Sequence, residues 1–136
     1  MSQETVEIVH RTVAAWNGQD IEAMLALTDP DVEYVNSPTA VEPGTRRGHE
    51  EFKSVLRDQW ELLSDARWEV VRLYERREEM VSLGRLSRGM PGSDARIEDR
   101  VLMAFRFENG RVTRMEVLGF GQAEVQAALE AAGLSE

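Results

Sequence analysis

From residue 67 to residue 118 the chain runs through four consecutive β-type segments, at about 67–76, 79–89, 95–107 and 111–118, separated only by short turns. Strands joined by so few residues must pair as antiparallel hairpins, because a parallel connection needs a crossover of about a dozen residues or more. The joints carry turn chemistry: Arg76-Arg77-Glu78-Glu79, then Pro91-Gly92-Ser93-Asp94, then Asn109-Gly110. The last is the strongest, since both residues tolerate positive φ and apolar Phe105, Phe107 and Val112 flank it.

Ahead of these strands the apolar period is helical. Val6, Val9, Val13 and Trp16 recur at helix spacing, and Gly18 follows where a left-handed cap would end the helix. Asp20 offers an N-cap oxygen to a short second helix carrying Ile21, Met24, Leu25 and Leu27, which Asp29-Pro30 stops. A first strand over 32–36 puts Val32, Tyr34 and Asn36 on one face. After a loop punctuated by Pro and Gly, a third helix begins past Gly48, with Phe52, Val55, Leu56, Gln59, Trp60 and Leu63 along one stripe. Residues 122–132 close the chain as a helix, with Gly133 and Leu134 as its C-terminal cap. The order α-α-β-α-β-β-β-β-α predicts an α+β domain spanning 1–136: a curved antiparallel sheet wrapped by helices around an internal apolar pocket.

Charge and composition narrow the function classes. A formal net charge of −9 repels phosphate backbones and anionic lipid, so neither nucleic acid nor a membrane surface is an expected partner. With no cysteine there is no disulfide, thiol nucleophile or thiolate metal site. No apolar run approaches the ~20 residues of a membrane span, and the acidic start Ser2-Gln3-Glu4 is unlike a secretory signal, so a cytoplasmic location is expected. His49-Glu50-Glu51-Phe52 lacks the second histidine of a helical zinc motif, and His10 stands alone, so no metal is expected. The chain has neither a nucleophile elbow nor a Gly-rich phosphate loop, and no cofactor is expected.

Alternation along the strands selects the candidate site. Asp99, Val101, Met103 and Phe105 share the inward face, and Arg85, in phase with Val81 and Leu83, is expected to turn inward and pair with Asp99. Asp99 is the one candidate catalytic residue, as a proton-transfer group; the plain alternative is a structural ion pair. Tyr34 and Asn36 place a phenol beside an amide, suited to a carbonyl or hydroxyl, or else to a satisfied polar pair in the core. Trp16, Trp60, Met103, Met115 and Phe120 supply an apolar wall for a small hydrophobic molecule, although Trp16 and Trp60 lie on stripes that must be buried anyway. On the outer face, Leu102, Ala104 and Leu118 stand among arginines, and burying them predicts a homodimer through that face.

The runs AAWNGQDIEAMLALTDPDVEYVNSP, RRGHEEFKSVL, FRFENGRVTRMEVL and AEVQAALEAAGL, in this order and spacing, resemble the SnoaL-like branch of the nuclear transport factor 2-like superfamily, with its ketosteroid isomerase-like fold. The resemblance covers nearly the whole chain and implies the cone-shaped fold. That superfamily includes isomerases, cyclases, dehydratases and members without chemistry, so only the pocket selects among them. By the same resemblance, the steroid isomerases' general-base aspartate falls on Asn36, and their two oxyanion donors fall on Thr12 and Met103, so all three roles are lost together. Many relatives carry a histidine or aspartate where Met103 stands. Three readings stay open: a lyase, isomerase or cyclase on a small hydrophobic carbonyl compound, a non-catalytic binder of such a compound, and a dimeric interaction module without ligand.

Overall fold

Helical and β periodicity resolve, in a computed structural model, into α1 (Gln3–Asn17), α2 (Ile21–Leu27), β1 (Thr28–Asn36), β2 (Gly44–Arg47), α3 (Gly48–Leu62), β3 (Arg67–Arg76), β4 (Glu79–Gly89), β5 (Arg96–Glu108), β6 (Arg111–Phe120) and α4 (Gln122–Ala132). The structure describes residues 2–40 and 42–135. The order is the expected one, with the short β2 added inside the loop after β1. Local signals act where the sequence puts them. Asp20 accepts from the Ala23 N–H as N-cap, Asn109 and Gly110 both take positive φ, and Gly133 is left-handed, with Leu134 N–H donating to the Leu129 carbonyl. The end of α1 differs: Gly18 stays right-handed at φ −83°, its N–H continuing the ladder to the Ala14 carbonyl, and Gln19 makes the left-handed step at φ 51°. The chain leaves the helix one residue later than expected.

The sheet is mixed and open, in the order β2-β1-β6-β5-β4-β3. β3 to β6 form the expected antiparallel meander, and β1 lies parallel to β6. The parallel pair arises because α3 and the whole meander intervene between the two strands, bringing β6 back alongside β1 in the same direction. Register shifts occur at Val70/Arg72, Leu102/Met103 and Arg106/Phe107; such bulges bend the strands that carry them.

Both sheet faces are covered. On one, Val9, Val13, Phe52, Leu56 and Trp60 of α1 and α3 pack with Val101, Met103 and Phe105 of β5. On the other, Val125 and Leu129 of α4 pack on Tyr74, Val81, Leu83, Leu102 and Ala104. Leu102 is fully buried and Leu118 packs against the same cluster. The apolar residues that called for a partner subunit are thus covered by the chain's own last helix. Beyond α4, that face carries charges, with Glu33 of β1 bridged to Arg47 and Arg114. α4 comes this close because residue 119 is glycine: a Cβ there would stand 2.9 Å from the Glu124 carbonyl carbon and oxygen.

Candidate functional site

Between the sheet and α1 to α3 lies a cleft of about 300 Å³, at the small end of the roughly 300–1,000 Å³ of ligand sites. Its walls are mostly apolar. Of the residues singled out by sequence, Trp16, Tyr34, Asn36, Met103, Met115 and Phe120 line it. They come from four elements because strand alternation brings Tyr34, Met103 and Met115 to one face, where β5 and β6 pair Phe105 with Met115 and Met103 with Val117. Phe120 stays 41% exposed and marks the open end.

Three others lie elsewhere. Trp60 is buried in the helix layer, its indole N–H donating to the Trp16 carbonyl at 3.0 Å, and does not line the cleft. Arg85 keeps phase with Val81 and Leu83, but that phase faces α4 rather than the cleft, and Arg85 is exposed and bridged to Glu69 on β3. Residues 81–84 are buried in succession, so β4 is covered on both faces and alternation alone does not tell inner from outer. Asp99 shares the cleft face, standing opposite Leu86 in register. It is half-buried and outside the cleft lining, and Arg85 stands opposite Arg100 instead. The structure does not bring Asp99 and Arg85 together.

At the helix end of the cleft, three polar side chains form a chain. Trp16 Nε1 donates to Gln59 Oε1 at 2.9 Å, and Gln59 Nε2 donates to the Tyr34 hydroxyl at 2.9 Å. Burial raises the Tyr34 pKa above the ordinary phenol value, partly offset by the Gln59 hydrogen bond; the phenol is therefore neutral at physiological pH. Gln59 interrupts an otherwise apolar stripe, which is the sequence signal for its role.

Trp68 is the largest wall residue that sequence reasoning missed. Asn17, at the end of α1, donates to the Trp68 carbonyl and accepts from its N–H, both at 2.8 Å. This clamp holds the start of β3, and the indole packs edge-on to Trp16 and stacks near Phe105. Its Nε1 lies over Gly84 and has no partner among the described residues.

The open end is acidic. Glu124 of α4 accepts from Thr39 Oγ1 at 2.6 Å, from the Phe120 N–H at 3.2 Å and from Ser37 Oγ at 3.5 Å. These hydrogen bonds, that from Thr39 foremost, hold its pKa below the ordinary carboxylate value. Nothing in the sequence marks Glu124, because the hydroxyls that hold it, Ser37 and Thr39, lie 87 and 85 residues away in the chain. Asn36 donates to the Glu42 carbonyl at 3.0 Å, tying the following loop back to the strand. Among the described residues no group of three or more His, Cys, Asp or Glu side chains is arranged to hold a metal, and no helix is long and apolar enough to cross a membrane.

Comparison with known proteins agrees with this architecture. The family model of the SnoaL-like domain matches residues 9–115. No curated protein matches. Among solved structures, TerC co-crystallised with polyporic acid is 22% identical over 94% of this chain and 99% of its own, with a TM-score of 0.75. A protein of ketosteroid isomerase-like fold from Catenulispora acidiphila DSM 44928, in complex with trimethylamine, is 18% identical over 95% and 94%, at 0.70. A candidate SnoaL-like polyketide cyclase from Jannaschia sp. CCS1 is 17% identical over 96% of each chain, at 0.75. At these identities the likeness is one of fold.

Proposed function

The chain belongs to the SnoaL-like domain family, and on that premise we propose that it binds a small hydrophobic molecule in the cleft without a cofactor. The observation that carries this reading is the cleft itself: about 300 Å³, walled by aromatic and thioether side chains, with Tyr34, Gln59 and the carboxylate-bearing Glu124 among its few polar lining residues. Such an apolar cavity with few convergent polar groups is the usual form of a ligand site. TerC and the Catenulispora acidiphila protein share the fold and were crystallised with polyporic acid and trimethylamine, which supports a small molecule as the occupant here.

Titration calorimetry against a panel of bicyclic aromatic compounds, with product analysis by mass spectrometry on every binder, tests the reading. Saturable heat with unchanged ligand is the expected result. A panel that gives no saturable heat overturns it.

A second reading, a lyase, isomerase or cyclase on a hydrophobic carbonyl compound, draws support from the fold neighbour described as a candidate polyketide cyclase. Its proton-transfer group would be Asp99, at the edge of the cleft face, or Glu124, the carboxylate in the lining. New product in the same panel selects this reading over simple binding.

The homodimer stands as a proposal for the charged part of the outer face, where Glu33, Arg47, Arg114 and Glu116 alternate in sign. Sedimentation showing a monomer at micromolar concentration removes it.

A further inference from the structure

We propose that Gln59 is a positioning residue that makes the Tyr34 hydroxyl a hydrogen-bond donor toward the cleft, so that the ligand presents an acceptor oxygen there, as a ketone or quinone does. The inference rests on the small-molecule reading of the cleft and adds the polarity of its inner end.

The argument is one of donor and acceptor counting. An indole N–H only donates, so Trp16 Nε1, at 2.9 Å, obliges Gln59 to turn its amide oxygen toward α1. An amide carries its NH₂ on the opposite side, and that group meets the Tyr34 oxygen at 2.9 Å. A phenol hydroxyl that accepts in this way has its single hydrogen left to give. Among the described residues no acceptor takes it, and Tyr34 lines the cleft while being 6% exposed. Neighbouring hydrogen bonds polarise one another, so accepting from Gln59 strengthens Tyr34 as a donor. Desolvation of the phenolate keeps the hydroxyl protonated. A ligand with no acceptor at this point leaves a buried donor unpaired, which is unfavourable.

Two probes of nearly the same shape isolate the effect: 2-acetylnaphthalene, and 2-isopropenylnaphthalene, in which C=CH₂ replaces C=O. Fluorescence titration of the full chain is expected to give about tenfold tighter binding of the ketone, the order expected for one hydrogen bond. Tyr34→Phe brings the ratio to about one while leaving the hydrocarbon's affinity unchanged. Gln59→Glu does the same by another route, because its carboxylate accepts from both Trp16 and Tyr34 and takes the hydroxyl's hydrogen. Should that buried carboxylate prevent folding, neutral Gln59→Met keeps the test open, with the ratio falling below the wild-type value as the polarising hydrogen bond is lost. The bound ketone's carbonyl stretch should shift to lower frequency in the wild type and not in Tyr34→Phe. Equal affinity for both probes in the wild type, or a ratio unchanged in the foldable Gln59 variant, overturns the inference and leaves the cleft reading standing. Failure of both probes to bind the wild type overturns the cleft reading, and the inference with it.

Discussion

Glu124, in the first turn of α4, accepts a 2.6 Å hydrogen bond from Thr39 Oγ1, 85 residues away in the chain. With Phe120 N–H and Ser37 Oγ it fastens α4 to the end of β6 and to the loop after β1 at the cleft's open end.

That arrangement makes a pH prediction. The folded pKa of Glu124 is lowered, from Thr39 first and the Phe120 N–H second, so its stabilisation is fully present above the ordinary carboxylate value and is lost as pH falls through the folded pKa. Thermal melts between pH 6 and pH 3 should therefore show the wild type ahead of Glu124→Gln at the upper end and the gap closing at the lower. A gap independent of pH contradicts the assignment.

Gly119 is the point where α4 meets β6. A Cβ at that position would stand 2.9 Å from backbone atoms of Glu124 and 3.1 Å from Val125 N, and backbone cannot swing aside as a side chain can. Gly119→Ala should cost about 1–3 kcal/mol, read from the shift in urea midpoint at unchanged slope. A midpoint equal to wild type means that α4 sits further from the sheet than described.

The Asn17 side chain holds both backbone polar groups of Trp68. Asn17→Ala removes both partners and should destabilise by about 1–3 kcal/mol, with a weaker near-ultraviolet circular dichroism signal as the Trp16, Trp68 and Phe105 rings lose their fixed geometry. Retention of the full aromatic signal shows that ring packing alone positions Trp68.

Asp99 and Arg85 lie outside the cleft lining. Asp99→Asn should leave probe affinity within about twofold, and Arg85→Ala should change stability by under about 0.5 kcal/mol, since its bridge to Glu69 is exposed. A tenfold loss of affinity in Asp99→Asn places that carboxylate in contact with the ligand.

Residues whose role depends on near neighbours were legible in the sequence. The Asn109-Gly110 turn, the Asp20 cap, the Gly133-Leu134 ending and the phase of Tyr34, Met103 and Met115 all rest on local backbone geometry, and the structure has each of them. The errors share a cause. Arg85 keeps the phase of Val81 and Leu83, but that phase faces α4. Leu102 and Ala104 read as surface awaiting a partner because nothing local says that α4 lies over them. Trp60 and Trp16 carry the same helical signal, yet only Trp16 lines the cleft.

By itself, then, the sequence determined every element but β2, their order and the alternation of faces along each strand, because these follow from period, turn chemistry and composition. Which face becomes the cleft, and the joining of Trp16, Gln59 and Tyr34 into one directed chain of hydrogen bonds, were decided only in three dimensions. A strand buried on both sides carries no mark of which layer will cover which face, and a hydrogen bond between residues 25 or 43 positions apart exists only once packing has brought them within 3 Å.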